Sequence, residues 1–257
     1  MINMEFIINT HENVYIPAED SYLLAENLEI KEGQSVLEIG TGSGIVAMYA
    51  SKLTDKVTAT DINFDAITLA EENFKANNID NIELLFGNLF EPVKNRKFDV
   101  ILFNTPYLPT EEGEVIDSNL NYAFDGGLNG RKVIDLFLNE VKNHLNDGGI
   151  VQIIQSSFSD NDETLNRFDE LGFIAEIAKK EHFFFEDITL INAYKIWKGD
   201  KMEVWKMSII TGIGLIILGI VFIILRGHIS IWLAIIVILG IIDVVLGVIR
   251  KKYRREN

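Results

Sequence analysis

The sequence predicts an α/β domain built on a doubly wound, mostly parallel sheet of seven strands, followed by a pair of apolar helices. Three observations carry that expectation. Apolar runs of strand length alternate with segments of helical spacing through residues 1–198. The last two runs follow each other without a helix between them, which predicts an antiparallel pair at one edge. Beyond residue 206 the chain becomes almost wholly apolar.

In chain order, SVLEI (35–39) reads as a buried strand and Gly44 to Leu53 as a helix. KVTATD (56–61) is the second strand, and Phe64 to Asn77 has helical spacing. IELLF (82–86) and FDVILFN (98–104) are the third and fourth strands. A helix is expected over Gly130 to Leu145, a fifth strand at GIVQIIQS (149–156) and a helix over Thr164 to Leu171. Strands over Phe173–Phe184 and Thr189–Ile196 close the domain. This is a Rossmann-like order, in which ligands bind beyond the carboxyl ends of the central strands.

Charge divides the chain near Gly199. Residues 1–198 hold 15 Lys and Arg against 34 Asp and Glu, a net of −19. Residues 199–257 hold 8 against 4. An acidic domain speaks against a nucleic-acid partner, because a duplex binder needs cations to replace phosphate counterions. Cysteine is absent, which excludes disulfides, thiolate metal sites and a Cys nucleophile. Met1 to Tyr15 has no basic run ahead of an apolar stretch, so no cleaved signal peptide is expected.

Met207 to Leu225 carries no charge, and Ile229 to Ile249 carries only Asp243. Each run approaches the ~20 residues needed to cross a bilayer core. The expectation is therefore a membrane hairpin: residues 1–198 a globular domain, 199–206 a linker, 207–225 and 229–249 two transmembrane helices, and 250–257 a basic tail. Lys198, Lys201 and Lys206 at one end and Arg250 to Arg255 at the other would keep both flanks in the cytoplasm, with Arg226 and His228 outside. Asp243, an ionisable group inside a span, is either a functional residue or, as the favoured expectation, a partner of the basic tail or of a second hairpin. Gly212, Gly214, Gly219, Gly240 and Gly247 would let helices pack closely.

Three strand ends carry ligand-binding residues. Glu38-Ile39-Gly40-Thr41-Gly42-Ser43-Gly44 follows the first strand and opens a helix, where glycines allow a tight turn and close backbone approach. Asp61 ends the second strand, and a carboxylate there can bind both hydroxyls of a ribose. Gly87-Asn88-Leu89-Phe90 follows the third strand, where a base would lie. No Lys-Ser/Thr follows the glycines, so this is not a P-loop, and glycines at 40, 42 and 44 do not meet the dinucleotide spacing. The arrangement resembles the class I S-adenosylmethionine methyltransferases. That resemblance implies S-adenosylmethionine as cofactor, with Glu38 facing its amino-acid end and Asp61 its ribose. Asn88 stands where that family usually has Asp near adenine. Ser21 would add a hydroxyl to the methionine moiety, or else sit on a surface helix.

The fourth strand ends in Asn104-Thr105-Pro106-Tyr107. This resembles the (Asn/Asp)-Pro-Pro-(Tyr/Phe/Trp) motif of enzymes that methylate planar NH2 groups. Such a nitrogen is a poor nucleophile, and two acceptors on its N–H bonds would hold it in line with the methyl donor. The Asn104 side-chain oxygen and the carbonyl of residue 105 are the expected acceptors, with Tyr107 stacking on the planar group. Thr105 replaces the first Pro; the carbonyl survives, and backbone stiffness is lost. No metal site is expected.

PAEDSYLL (17–24), FNTPYLPT (103–110) and GGLNGRKVID (126–135) together resemble the HemK-related glutamine methyltransferases of archaeal and eukaryotic class I release factors. The resemblance covers residues 10–198. It implies N5-methylation of the glutamine in a Gly-Gly-Gln loop, often with a small zinc-binding activator subunit. Glu111, Glu112 and Glu114 would receive a basic protein, and Gly126, Gly127 and Gly130 would let a substrate loop approach or simply turn the chain, with Arg131 as a brace. Two rival readings stay open: an adenine-N6 methyltransferase on DNA or RNA, and a non-catalytic membrane-tethered binding module.

Overall fold

The structure is a computed structural model that describes residues 6–110, 119–183, 185–196, 209, 211–218, 237–242 and 244–246. The chain divides into two compact units, Met1–Ile196 and Trp197–Asn257.

The first unit holds one seven-stranded sheet in the order β3-β2-β1-β4-β5-β7-β6. Its strands are β1 (Val36–Ile39), β2 (Val57–Asp61), β3 (Ile82–Phe86), β4 (Phe98–Asn104), β5 (Leu145–Ser156), β6 (Phe173–Phe183) and β7 (Glu186–Lys195). Strands β1 to β5 pair in parallel, while β7 runs antiparallel to both β5 and β6. The helices are α1 (Glu19–Ala25), α2 (Ile45–Ala50), α3 (Phe64–Ala76), α4 (Lys132–His144) and α5 (Asn161–Glu170).

Alternation along the central strands builds two cores. Val36, Val100 and Leu102 point to the face covered by Leu24, Met48 and Phe74. Leu37, Ile101 and Phe103 point to the other, under Phe137, Leu138 and Phe168. Phe137 and Leu138 are fully buried, and each such side chain stabilises the fold by about 1.5–3 kcal/mol. The sheet order reverses between β1 and β4, where Ile39 sits opposite Phe103. A ligand site is therefore expected beyond those two carboxyl ends.

Asparagines tie the segment before α1 to α3. Asn77 bonds both main-chain groups of Ile7, accepting at 2.9 Å and donating at 2.8 Å. One turn earlier, Asn73 accepts from the N–H of Asn9 at 2.7 Å and donates to its carbonyl at 3.2 Å. Asn73, fully buried, also donates to the carbonyl of Ser43 at 2.9 Å. Asn63 caps α3 and donates to the carbonyl of Asn13 at 2.8 Å. Residues 6–18 thus form a strap joined to the glycine turn through one side chain.

In the second unit, the described helical stretches cover residues 211–218, 237–242 and 244–246. Gly212 and Gly240 stand where their backbones meet: a Cβ on Gly212 would lie 2.5 Å from the Gly240 carbonyl oxygen. Gly214 has nothing within 4 Å of that position. The expected membrane placement is corrected here. Among the described residues no helix is long and apolar enough to cross a membrane. The rest of the expected spans, with Gly219, Arg226, His228, Asp243, Gly247 and the basic flanks, lies outside the described residues, so nothing here supports a two-span, cytoplasm-facing location.

Candidate active site

A cavity of about 410 Å³ opens at the carboxyl ends of β1, β2 and β4, within the range of small-molecule and cofactor sites. Ser21, Glu38, Gly40, Gly42, Asp61, Asn88, Leu89, Asn104, Thr105, Pro106 and Tyr107 all line it. Gly44 does not. It caps α2 at φ 85°, and a Cβ there would meet the Phe74 ring at 2.5 Å. Its glycine is needed for packing the turn on α3.

The turn after β1 is held by carboxylates. Thr41 donates its hydroxyl to Glu38 at 2.7 Å. Gly42, at φ 55°, and Asn63 donate main-chain N–H groups to the two oxygens of Asp61 at 2.9 and 2.8 Å. Burial pushes Glu38 up to about 8, and the neighbouring Asp61 charge pushes the same way against the Thr41 bond. Burial also raises Asp61, against bonds from the main chain of Asn63 and Gly42. Among the described residues, two buried side-chain polar atoms lack a partner, Ser43 Oγ and Asn104 Oδ1. Both residues line this cavity.

The tip of β4 is fixed at several points. Asn104 donates through Nδ2 to Asp20 at 3.0 Å, with Ser21 Oγ at 3.5 Å. Thr105 donates both its hydroxyl (2.8 Å) and its N–H (3.3 Å) to the carbonyl of Ile154 on β5. The hydroxyl thus supplies an anchor where the motif has a proline ring. Ser159 donates to the Tyr107 carbonyl at 2.8 Å. Gly130 packs against that same carbonyl and Gly126 against Gly130, so these glycines serve close packing behind the tip. Arg131, buried, donates to the carbonyls of Ser159 (2.6 Å) and Asp160 (2.9 Å), to Thr164 Oγ1 (2.9 Å) and to Asp135 (2.9 Å). It is the brace the sequence suggests.

Sequence reasoning misses Asp20. Its carboxylate, 6% exposed, accepts from Asn104, Tyr107 (3.3 Å), Tyr15 (3.0 Å) and the Ser21 N–H (2.7 Å). Burial and the Asp20 charge raise both tyrosines well above the usual phenol range, so they are donors. The one signal is Asp20's place in the stretch Pro17 to Ser21. Ser21, 5% exposed, is not on a surface helix face. Glu111, Glu112 and Glu114 lie outside the described residues.

The methyltransferase small domain model matches residues 5–185. The chain belongs to that family, in its HemK-related branch. A Methanocaldococcus jannaschii relative, provisionally named a protein N5-glutamine methyltransferase, is 48% identical over 190 residues, covering 74% of this chain and 95% of that one. Human methyltransferase HEMK2 is 30% identical over 164 residues, covering 60% and 76%. Among solved structures, a chain of the E. cuniculi Mtq2-Trm112 complex, described as methylating the eRF1 translation termination factor, superposes with TM-score 0.55 at 26% identity, covering 71% and 99%. A Pyrococcus furiosus methyltransferase does so with TM-score 0.55 at 26% identity, covering 74% and 89%. As a methyltransferase of this branch the chain is an enzyme, and the non-catalytic reading falls.

Proposed function

We propose that this methyltransferase uses S-adenosylmethionine to methylate N5 of the glutamine in a Gly-Gly-Gln loop of a class I peptide chain release factor. The observation that carries the reading is the Asn104 amide: its nitrogen is held by Asp20 while its oxygen, buried at the cavity wall, has no partner. An acceptor without a donor in a buried site invites an N–H from a ligand.

The cavity fits the cofactor the family implies. Glu19, Asp20, Glu38, Asp61 and Glu186 line it, and among the described lining residues there is no Lys, Arg or His. That sign of charge suits a ligand bearing an ammonium and a sulfonium. When bound, S-adenosylmethionine supplies an electrophilic methyl group and leaves as a neutral thioether. Asp61 would hold the ribose hydroxyls, Glu38 and Ser21 would face the methionine end, and Asn88 and Leu89 would flank the adenine.

The chain's own residues then have defined tasks. Asn104 Oδ1 accepts one N–H of the substrate amide and the Thr105 carbonyl accepts the other, which orients the nitrogen lone pair. Both oxygens stabilise positive charge as the nitrogen forms its bond to carbon and the carbon–sulfur bond breaks. Tyr107 packs its ring on the planar group. The methylated nitrogen is acidic and gives its proton to water, so no strong base is needed.

The names of the relatives from M. jannaschii and E. cuniculi support a protein glutamine over a nucleic acid. The lining opposes the adenine-N6 alternative, since every ionisable acid or base among its described residues other than tyrosine is a carboxyl and a phosphate backbone would meet no cation there. That the E. cuniculi neighbour was solved as a complex with Trm112 supports a small activator subunit, zinc-binding in this family, as partner. The test is incubation of the full chain, alone and with such a subunit, with labelled S-adenosylmethionine and either a release factor or nucleic acid. Mass spectrometry should place one methyl on the glutamine of the Gly-Gly-Gln peptide. Label found only in nucleic acid would reject this reading.

A further inference from the structure

An asparagine amide is nearly symmetric in shape, and a half-turn about its last bond exchanges oxygen for NH2. Asn104 can serve the reaction in one orientation alone. With NH2 toward the substrate it would set donor against donor. Something must therefore choose the orientation, and it must be an acceptor that cannot itself donate.

We propose that Asp20 is that positioning residue, an acceptor-only group that locks the Asn104 amide so that Oδ1 faces the substrate. The inference rests on the reading of Asn104 as a substrate acceptor. Asp20 Oδ2 takes the Asn104 Nδ2 hydrogen at 3.0 Å. In the flipped state, Asn104 Oδ1 would face a carboxylate oxygen in a buried place, with no hydrogen between them. Ser21 Oγ, at 3.5 Å, discriminates nothing, because a hydroxyl can donate or accept.

Asp20 is itself immobilised. Its Oδ1 takes the Ser21 N–H at 2.7 Å, the Tyr15 hydroxyl at 3.0 Å and the Ser21 hydroxyl at 3.3 Å. Its Oδ2 also takes the Tyr107 hydroxyl at 3.3 Å. One oxygen thus sets the Asn104 and Tyr107 side chains of the catalytic turn. A negative charge behind the amide also polarises it, making Oδ1 a stronger acceptor as positive charge grows on the substrate nitrogen.

The roles in this pair can be exchanged, and that gives the test. D20N keeps the shape but can pair with either orientation of Asn104. Its kcat for release-factor methylation at saturating cofactor should fall by roughly 10- to 100-fold, as for partial loss of one transition-state hydrogen bond. N104D sets two carboxylates face to face and should fall at least as far. In D20N/N104D, the amide moved to position 20 donates to the carboxylate moved to position 104, whose other oxygen is presented to the substrate. Turnover should recover by about tenfold or more over either single variant, a coupling that independent sites do not show. Melting temperature and cofactor calorimetry check that each variant folds. Undiminished turnover by a folded D20N, or a double variant no better than the poorer single, overturns the inference. Should the unmodified chain methylate no release factor, the substrate reading fails on its own. The side-chain NH2 resonances of Asn104 in ¹⁵N spectra then decide the positioning role: slowed amide rotation in the unmodified chain, lost in D20N, supports it, and no change overturns it.

Discussion

Thr105 and Ile154 are joined by two hydrogen bonds to one carbonyl, from the Thr105 hydroxyl at 2.8 Å and its N–H at 3.3 Å. Proline could make neither. Thr105→Val should lower stability by about 1 kcal/mol, the size of one buried hydrogen bond, and lower kcat by roughly tenfold through a looser acceptor carbonyl. Thr105→Ser should stay near normal. Thr105→Pro should not improve on threonine, because the Ile154 carbonyl loses both donors. Steady-state kinetics and thermal melting of the three variants check this.

Asn104→Ala should retain cofactor affinity and lose methyl transfer by at least ~100-fold, as for removal of one transition-state donor or acceptor. Calorimetry and single-turnover labelling separate the two effects. Near-normal turnover would contradict the assigned role.

The raised carboxyls give a signed pH dependence. Glu38, at about 8 when folded, binds its proton more tightly in the native than in the unfolded chain. Its stabilising contribution is whole below about pH 4.5 and is lost as pH rises through about 8. Asp61, also raised, acts in the same direction. At ~1.4 kcal/mol per unit the total for Glu38 is on the order of a few kcal/mol. Melting curves of the ligand-free protein and Glu38→Gln should therefore diverge between pH 5 and 9, with the unmodified protein losing ground as pH rises. Parallel curves would show that Glu38 is not titrating there.

Two glycines of the same turn should respond differently. Gly44→Ala puts a Cβ 2.5 Å from the Phe74 ring at φ 85° and should cost about 2–4 kcal/mol. Gly42→Ala, at φ 55° with open space around it, should cost about 1–2 kcal/mol. Urea titration of both variants compares them directly.

The strands at 82–86 and 98–104 can be read to the residue, because apolar runs broken only by Glu83 and Asp99 end there at Gly87 and at the Asn104 turn. β5 begins at Leu145, four residues before the expected strand. Asn146 to Gly149 reads as a turn, and the register jumps there from Phe98 opposite Leu145 to Val100 opposite Ile150, so these residues bulge out of the pairing and the regular ladder starts at Ile150. α1 leaves no clear mark in the sequence, since seven residues carry too little periodicity. Asp20 escapes notice for a similar reason: its partner Asn104 lies 84 residues away, a distance no local pattern spans. The C-terminal expectation fails differently. Hydropathy marks the run as apolar, while among the described residues no helix is long and apolar enough to cross a membrane.

The buried Asn73 grips the main chain of Asn9 with both ends of its amide and the Ser43 carbonyl with its NH2 end. Solvent hydrogens should therefore replace those on Asn9 and Ile7 more slowly once the neighbouring cavity is filled. A deuterium-uptake time course at the chain's first peptide would then read out occupancy without any label on what binds.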